Sequence, residues 1–151
     1  MAFNSQEKVK KKKPMSSSFN DPIAELLTKI RNAQSAKHMH VDISMSNVKL
    51  SIVKILKEKG FIQSFSKDLV KDAPQDSRIR VYLRYNKDRE SVINGLKRES
   101  SSGLRKYIGY RDIPKPFNRM GIAILTTPQG ILDGENARNQ KVGGEIICTV
   151  W

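Results

Sequence analysis

The sequence predicts an α+β fold, with an N-terminal α-β-α-β-β domain packed against a smaller, mainly β C-terminal domain. Residues 20–90 contain two segments with apolar residues at helical spacing and three segments in which apolar and polar residues alternate, as they do in strands. Residues 91–151 hold shorter apolar runs that are typical of strands. Residues 86–103 between them are charged and then serine-rich, which indicates a domain boundary near residue 90.

The first helix is expected to begin at Asp21 and Pro22. An aspartate at this position can accept hydrogen bonds from the unpaired N–H groups of the first turn. Proline already has the φ angle of the first helical position and needs no N–H donor there. The apolar stripe that follows consists of Ile23, Leu26, Leu27 and Ile30.

The rest of the N-terminal domain alternates between strand and helix patterns. A strand is expected at residues 39–43, followed by a second helix that begins at Ser46 and ends at Gly60. Two more strands are expected on either side of a polar turn, so that two helices cover one face of a small sheet. The two strands are expected at residues 61–65 and 79–85, and the turn at residues 72–76.

The C-terminal domain is expected to be built mainly from three strands. Their ranges are Leu104–Ile108, Gly121–Thr126 and Glu145–Val150, with a short helix over Asp133–Lys141. A polar loop is expected at Thr126–Gly130, directly after the second of these strands. A loop of small polar residues held between rigid strands can approach a polar surface closely.

The charge of the chain favours a polyanionic partner. The formal net charge is +13, from 28 lysines and arginines against 15 acidic residues. Residues 1–19 contribute five lysines and one glutamate, a net charge of +4, and are expected to be a disordered basic extension. The remaining +9 is shared between +5 in residues 20–94 and +4 in residues 95–151. A positive charge spread over both halves suits a broad nucleic-acid contact better than one small-ligand pocket.

The composition favours a soluble protein of a reducing compartment. Cys148 is the single cysteine, so no disulfide can form within the chain. No apolar run approaches the roughly 18 residues that a membrane-spanning helix needs. The N-terminal lysine run is followed by Pro14 and a serine run rather than by an apolar stretch, so no secretory signal is expected.

No residue set in the sequence indicates catalysis or metal binding. His38 and His40 share i, i+2 spacing, but no cysteine or carboxylate cluster accompanies them, and a zinc site needs three or four ligands. Cys148 lies in an apolar strand with no histidine nearby in sequence, which favours a buried structural thiol over a nucleophile. We therefore expect no enzymatic activity, no cofactor, no metal and no small-molecule substrate.

The Thr126–Gly130 loop is the strongest candidate for a recognition element. Hydroxyl groups both donate and accept hydrogen bonds, so they can contact base edges, phosphate oxygens and the 2′-OH of an RNA minor groove. Glycine allows a close backbone approach. Tyr107, at the end of a predicted strand, offers a ring that can stack on a sugar or an unpaired base. The residues alone leave open the alternative of an ordinary hairpin loop and a core tyrosine.

Basic and polar residues on the other predicted elements give weaker signals. A row of arginines is expected on one strand face, and we prefer an ordinary solvated sheet face to phosphate contact. The exposed side of the first helix carries a threonine, an arginine and an asparagine, and the second helix carries two lysines, as any basic helix does. The arginines of the strand face are Arg78, Arg80 and Arg84. The residues on the first helix are Thr28, Arg31 and Asn32, and the lysines on the second helix are Lys49 and Lys54.

From Asp21 to Trp151 the chain resembles the bacterial-type small-subunit ribosomal protein eight family. The matching segments are DPIAELLTKIRNA, ILKEKGFI, GLRKY, GIAILTTPQG and GGEIICTVW, in the order of the family. The resemblance implies direct binding to the central domain of 16S-type ribosomal RNA and a role in assembling the platform of the small subunit. It also implies contacts with neighbouring small-subunit proteins, namely proteins five and twelve.

The resemblance also implies a set of RNA-binding residues. They are Thr126, Thr127, Pro128, Gln129, Gly130, Tyr107, Glu145, Thr28, Arg31, Asn32 and Lys49. In that family the loop usually reads Ser-Thr-Ser-Lys-Gly. Here Pro128 replaces a serine, which removes a hydroxyl group and a backbone N–H donor. Gln129 replaces a basic residue, which removes one positive charge.

Three other hypotheses remain at this stage. One is a peripheral membrane-surface protein that uses the lysine-rich extension, the second a general RNA-binding protein outside the ribosome, and the third an RNA-processing enzyme. Deleting residues 1–19 separates the first from ribosomal RNA binding, because membrane binding should vanish while RNA binding should largely persist. The expected location is the small ribosomal subunit of a bacterial cytoplasm, with an organellar ribosome as the alternative.

Overall fold

The computed structural model describes residues 21–151, so the basic extension expected at residues 1–19 lies outside the described residues. The elements confirm the α+β fold class. The helices are α1 (Pro22–Ser35), α2 (Asn47–Glu58) and α3 (Gly134–Asn139), and a short 3₁₀ turn covers Pro74–Asp76. The strands are β1 (His40–Ser44), β2 (Ile62–Asp68), β3 (Arg78–Leu83), β4 (Leu96–Arg98), β5 (Tyr107–Ile108), β6 (Ile122–Thr127), β7 (Gly130–Asp133) and β8 (Gly144–Val150).

The N-terminal half is a three-stranded antiparallel sheet in the order β1-β3-β2. Helix α1 packs near β1 and helix α2 packs near β2. Ile79, Val81 and Leu83 of β3 are buried under the helices, while the alternating Arg78 and Arg80 are exposed. The alternation in the sequence therefore predicts correctly which face of β3 enters the core.

The ends of the first two helices follow the expected pattern in part. The Asp21 carboxylate accepts hydrogen bonds from the N–H groups of Ile23 and Ala24, with Pro22 in the first turn. Ser46 precedes α2 as expected, but its side chain makes no capping hydrogen bond. Gly60 follows α2 with φ of +80°, a left-handed conformation that favours glycine and ends the helix.

The C-terminal half is an antiparallel five-stranded sheet in the order β4-β8-β6-β7, with β5 pairing with β8. Strands β4 and β7 were not predicted from the sequence. The strand expected over Leu104–Ile108 was wrong in its first part, since only β5 pairs with the sheet. Ser101 and Leu104 instead close a tight turn with two backbone hydrogen bonds, and the Leu104 side chain is exposed.

One hydrophobic core extends across both halves of the chain. It contains Leu26 and Ile79 from the N-terminal half together with Leu96 and Ile147 from the C-terminal half. A smaller cluster lies under α3 and includes Ile146 of β8. The domain boundary near residue 90 stays a prediction, because the larger core is continuous across it.

Polar contacts also join the two halves. The Arg98 guanidinium in β4 binds the Asp21 carboxylate at 2.9 Å and donates to the Ile147 carbonyl at 2.7 Å. At the end of α2, the Lys59 ammonium lies 3.1 Å from Asp133 and 3.0 Å from Glu135. These contacts hold the first turn of α1 and the end of α2 against the C-terminal sheet.

Candidate nucleic-acid interface

A tight hairpin joins β6 to β7 at the predicted recognition loop. Thr127 pairs directly with Gly130, so the turn itself consists only of Pro128 and Gln129. The five-residue loop expected at residues 126–130 is therefore corrected to a two-residue turn between strands. Pro128 has the fixed φ that suits the first corner of a turn, and Gly130 adopts φ of +106°, which favours glycine.

Two threonines at the end of β6 have different environments. The Thr127 side chain is 7% exposed; its hydroxyl donates to the Gly130 carbonyl at 2.8 Å and accepts from the Gln129 N–H at 3.2 Å. This hydroxyl therefore holds the turn together from inside. The side chain of the preceding Thr126 projects from the opposite face of the sheet and is exposed. Of the two hydroxyls, that of Thr126 is the one available to an external ligand.

Two adjacent glycines bring three strands together beside this hairpin. A Cβ atom on Gly143 would lie 2.5 Å from the Ile108 carbonyl oxygen, and one on Gly144 would collide with the Thr126 carbonyl oxygen. The backbone of β8 can therefore approach both β5 and β6 only because these positions lack side chains. The result is an open groove of about 630 Å³ between β5 and the hairpin.

Tyr107, Glu145 and Thr126 form one row across this sheet. Glu145 of β8 lies opposite Tyr107 of β5 on one side and opposite Thr126 of β6 on the other. Directly opposed residues of antiparallel strands project from the same face, so the three side chains share a face. Tyr107 is 72% exposed, which excludes the alternative of a core tyrosine. Two strand spacings separate it from Thr126, roughly 10 Å.

Glu145 connects the row to the segment that carries Tyr107. Its carboxylate accepts hydrogen bonds from the Ser100 hydroxyl at 2.6 Å and from Arg105 at 2.9 Å. The hydrogen bond from Ser100 is the main cause of a lowered pKa at Glu145, and Arg105 lowers this pKa further. Ser100 is fully buried and also accepts from the Lys106 N–H at 3.2 Å. These hydrogen bonds let Glu145 hold the segment before Tyr107 in place.

The expected contact residues on the helices are only partly placed for contact. Thr28, Arg31 and Asn32 all lie on the exposed side of α1. Arg31 nevertheless donates to the Leu96 carbonyl at 2.5 Å, so its guanidinium also ties α1 to β4. Lys49 is 3% exposed and donates to the Ser44 hydroxyl at 2.7 Å, because its side of α2 packs near the end of β1. This burial does not fit the surface contact expected of Lys49.

Two of the three arginines near β3 are engaged within the protein. Arg80 forms two hydrogen bonds with Asp42, at 2.8 and 3.0 Å. Arg84 donates to the Gly60 carbonyl at 2.9 Å. Arg78 is exposed at the start of β3. These contacts agree with the interpretation of a solvated sheet face.

Within residues 21–151, no group of three or more histidine, cysteine or acidic side chains is arranged to hold a metal ion. Cys148 is fully buried, and this burial raises the pKa of its thiol to about 12. A thiol held in that state is a poor nucleophile. No helix in the described part of the chain combines the length and the apolar character needed to cross a membrane.

The exposed Tyr107 ring and the exposed Thr126 hydroxyl, in one row on a basic α+β protein, are side chains of the kind with which nucleic-acid-binding proteins contact RNA. Residues 21–151 match the model of the family described as ribosomal protein S8. The chain belongs to the ribosomal protein S8 family, a structural and non-enzymatic component of the ribosome. The resemblance noted in the sequence is thereby confirmed.

Curated bacterial relatives named small ribosomal subunit protein uS8 are similar to the chain over almost their whole length. The protein of Protochlamydia amoebophila is 44% identical over 133 residues, which cover 87% of this chain and 98% of the relative. That of Anaeromyxobacter sp. strain Fw109-5 is 47% identical over 134 residues, covering 89% and 99%. That of Chlamydia trachomatis serovar D is 49% identical over 132 residues, covering 87% and 97%.

Proposed function

We propose that this chain is a structural constituent of the small ribosomal subunit that binds directly to the central domain of 16S-type ribosomal RNA and helps to assemble the platform. Family membership over residues 21–151 supports the ribosomal role. The observation that carries direct RNA binding is the exposed row of Tyr107 and Thr126 beside an open groove. Its two chemistries, stacking and hydroxyl hydrogen bonding, are those that read irregular RNA.

In this proposal the recognition surface has contacting residues and positioning residues. Tyr107 stacks on a sugar or an unpaired base, and the Thr126 hydroxyl bonds to a base edge or a 2′-OH in a shallow minor groove. Thr127 keeps the turn in one shape through its two internal hydrogen bonds. Glu145 fixes the segment before Tyr107 through its hydrogen bonds with Ser100 and Arg105.

The hairpin tip contributes shape to RNA binding and no charge. Pro128 and Gln129 are both exposed and neutral, so the affinity has to come from lysines and arginines elsewhere on the surface. The basic excess of both halves supplies them. Thr28 and Asn32, exposed on α1, form a second polar contact in this proposal. Lys49 takes no direct part, because it is buried.

The proposal includes the organisation and neighbours of the protein. Residues 20–90 form the N-terminal domain, and residues 91–151 form the C-terminal domain that carries most of the RNA recognition. Small-subunit proteins five and twelve are neighbours in the assembled particle, and the particle belongs to a bacterial cytoplasm. The bacterial origin of the relatives supports this location.

Hydroxyl-radical footprinting of the full chain on a complete 16S-type ribosomal RNA transcript tests the proposal. We expect protection of a confined region of the central domain. Tyr107→Leu should weaken that protection, whereas Leu69→Ala, which removes a side chain of similar exposure from the connection after β2, should leave it intact. Protection spread evenly over the transcript, or confined to another domain, would contradict the proposal.

A further inference from the structure

A second exposed aromatic and basic element lies in the loop between residues 114 and 121, away from the Tyr107 row in sequence. Phe117 is 59% exposed and Met120 is 75% exposed. Lys115 and Arg119 flank Phe117 at two residues on either side and are exposed as well. The loop therefore presents one ring between two positive charges, with a flexible apolar side chain next to it.

The base of this loop is fixed, so its tip is presented in a defined position. The Gly121 N–H donates to the Pro116 carbonyl at 3.1 Å, and the Met120 N–H donates to the Phe117 carbonyl at 3.0 Å. A Cβ atom on Gly121 would lie 2.6 Å from the Val150 carbonyl oxygen and 2.8 Å from the Trp151 Cβ. The chain at Gly121 is thus pressed against the end of β8.

The tip of the loop has an unusual backbone conformation. Phe117, Asn118 and Arg119 have φ angles of 49°, 51° and 70°, so three successive residues other than glycine are left-handed. Such conformations are strained for side chains larger than that of asparagine, and strain of this kind concentrates at binding sites.

The charge around the loop favours an anionic ligand. The sequence has no acidic residue between Asp112 and Asp133. The adjacent cleft of about 380 Å³ is lined by four basic side chains, including Lys115 and Arg119, and by only two acidic ones, Asp133 and Glu135. Lys59 already pairs with both acids. Within residues 21–151, Lys115 and Arg119 form no ion pair.

We propose that the loop at residues 114–121 is a second RNA contact, in which Phe117 stacks on an unpaired base while Lys115 and Arg119 neutralise the adjacent phosphates. This inference rests on the proposed function and extends it to a single-stranded element of the RNA. An aromatic ring next to positive charges is how proteins bind unpaired nucleotides. Two exposed apolar side chains offer far less area than the roughly 800 Å² that each partner contributes to a typical protein–protein interface.

Substitutions of Phe117 in the full chain test this contact with a 16S-type ribosomal RNA transcript. Phe117→Leu keeps an apolar side chain but removes the ring, and it should lower the affinity about tenfold, the effect of one lost base stack. Phe117→Trp should keep the affinity within about twofold, and its fluorescence should be quenched when the transcript binds, as stacking requires. Leu69→Trp, at a position of similar exposure, is the matched control and should show no quenching.

The outcomes separate this inference from the proposed function. Unchanged affinity in Phe117→Leu, or unquenched fluorescence in Phe117→Trp, would overturn the second contact even if Tyr107→Leu still weakens binding. Quenching that appears only when the other small-subunit proteins are added would overturn it in favour of a protein partner. If the unmodified chain does not bind the transcript at all, the proposed function fails together with the inference.

Discussion

The carboxylate of Asp21 binds two parts of the molecule at once. One oxygen accepts hydrogen bonds from the first turn of α1, and the other accepts from the Arg98 guanidinium in β4 at 2.9 Å. Arg98 in turn donates to the Ile147 carbonyl of β8. A single pair of charged residues therefore fixes the start of a helix in one half of the chain to two strands of the other.

The ion pair between Asp21 and Arg98 predicts that the Asp21 carboxylate stabilises the folded protein and that acid removes this stabilisation. Burial acts to raise the pKa of Asp21, but the hydrogen bonds from Arg98 and Ala24 outweigh it, and the pKa is lowered. A lowered folded-state pKa means that the stabilisation is complete above the unfolded value of about 3.9 and is lost as the pH falls through the folded value. Asp21→Asn should therefore flatten the loss of unfolding free energy as the pH falls below about 4.

Urea denaturation at a series of pH values measures this effect. Asparagine can still cap the helix, so the comparison isolates the charge. The pH dependence should not disappear, because the pKa values of Asp42, Asp133 and Glu145 are also lowered. Identical acid profiles for the variant and the unmodified protein would show that the charge of Asp21 contributes nothing.

The two neighbouring threonines of β6 should respond differently to the same substitution. Thr127→Val removes both hydrogen bonds that hold the turn and should lower the free energy of unfolding by about 1–2 kcal/mol. Thr126→Val changes an exposed hydroxyl and should leave stability within about 0.5 kcal/mol. Both should reduce binding to the specific ribosomal RNA site more than binding to unrelated RNA, Thr126→Val by losing a contact and Thr127→Val by losing the shape of the turn.

Thermal unfolding and filter binding of the two valine variants provide the comparison. An equal loss of stability would mean that the Thr127 hydroxyl does not hold the turn. Equal losses for specific and unrelated RNA would remove the recognition role of both hydroxyls.

The close approach of β8 to β6 predicts a steric effect at Gly144. A methyl group there would collide with the Thr126 carbonyl oxygen, whereas nothing lies within 4 Å of a Cβ placed on Gly103. Gly144→Ala should therefore cost about 1–3 kcal/mol of unfolding free energy through forced backbone displacement. Gly103→Ala is the control and should stay within about 0.5 kcal/mol. Equal stability of the two variants, measured by denaturant titration, would contradict the packing described for the groove.

Binding to ribosomal RNA should depend steeply on salt. The positive charge is spread over both halves of the chain, and contact with about six phosphates implies a loss of roughly a thousandfold in affinity between 50 and 200 mM salt. Filter-binding or fluorescence titrations over this range measure the slope directly. A flat dependence would mean that phosphate neutralisation is not the main source of affinity.

Much of the fold could be predicted because local chemistry determines it. Asp21 and Pro22 define the start of α1, and Gly60 defines the end of α2, through interactions within a few residues. Strands β4 and β7 have only three and four residues, too few to show a period, and each depends on a partner elsewhere in the chain. Such strands are stabilised by pairing with neighbouring strands of the sheet rather than by the propensity of their own sequence.

The site could be predicted by residue type but not by orientation. The sequence identifies Tyr107 and the two threonines, yet only the pairing register shows that Thr126 faces outward and Thr127 inward. Proline followed two residues later by glycine was the available signal for a two-residue turn. The burial of Lys49 could not be predicted, because helical spacing shows which residues share a face and not how closely the end of β1 lies against that face.

The hairpin turn also has a practical consequence for experiments. Its shape depends on the hydroxyl of Thr127 and the backbone of Gly130, while the side chain of Gln129 is exposed and makes no hydrogen bond within residues 21–151. A photo-crosslinking group or a dye introduced at position 129 would therefore lie at the tip of the hairpin, next to Pro128 of the groove, without disturbing the turn. Such a label could follow the occupation of this surface in real time during particle formation.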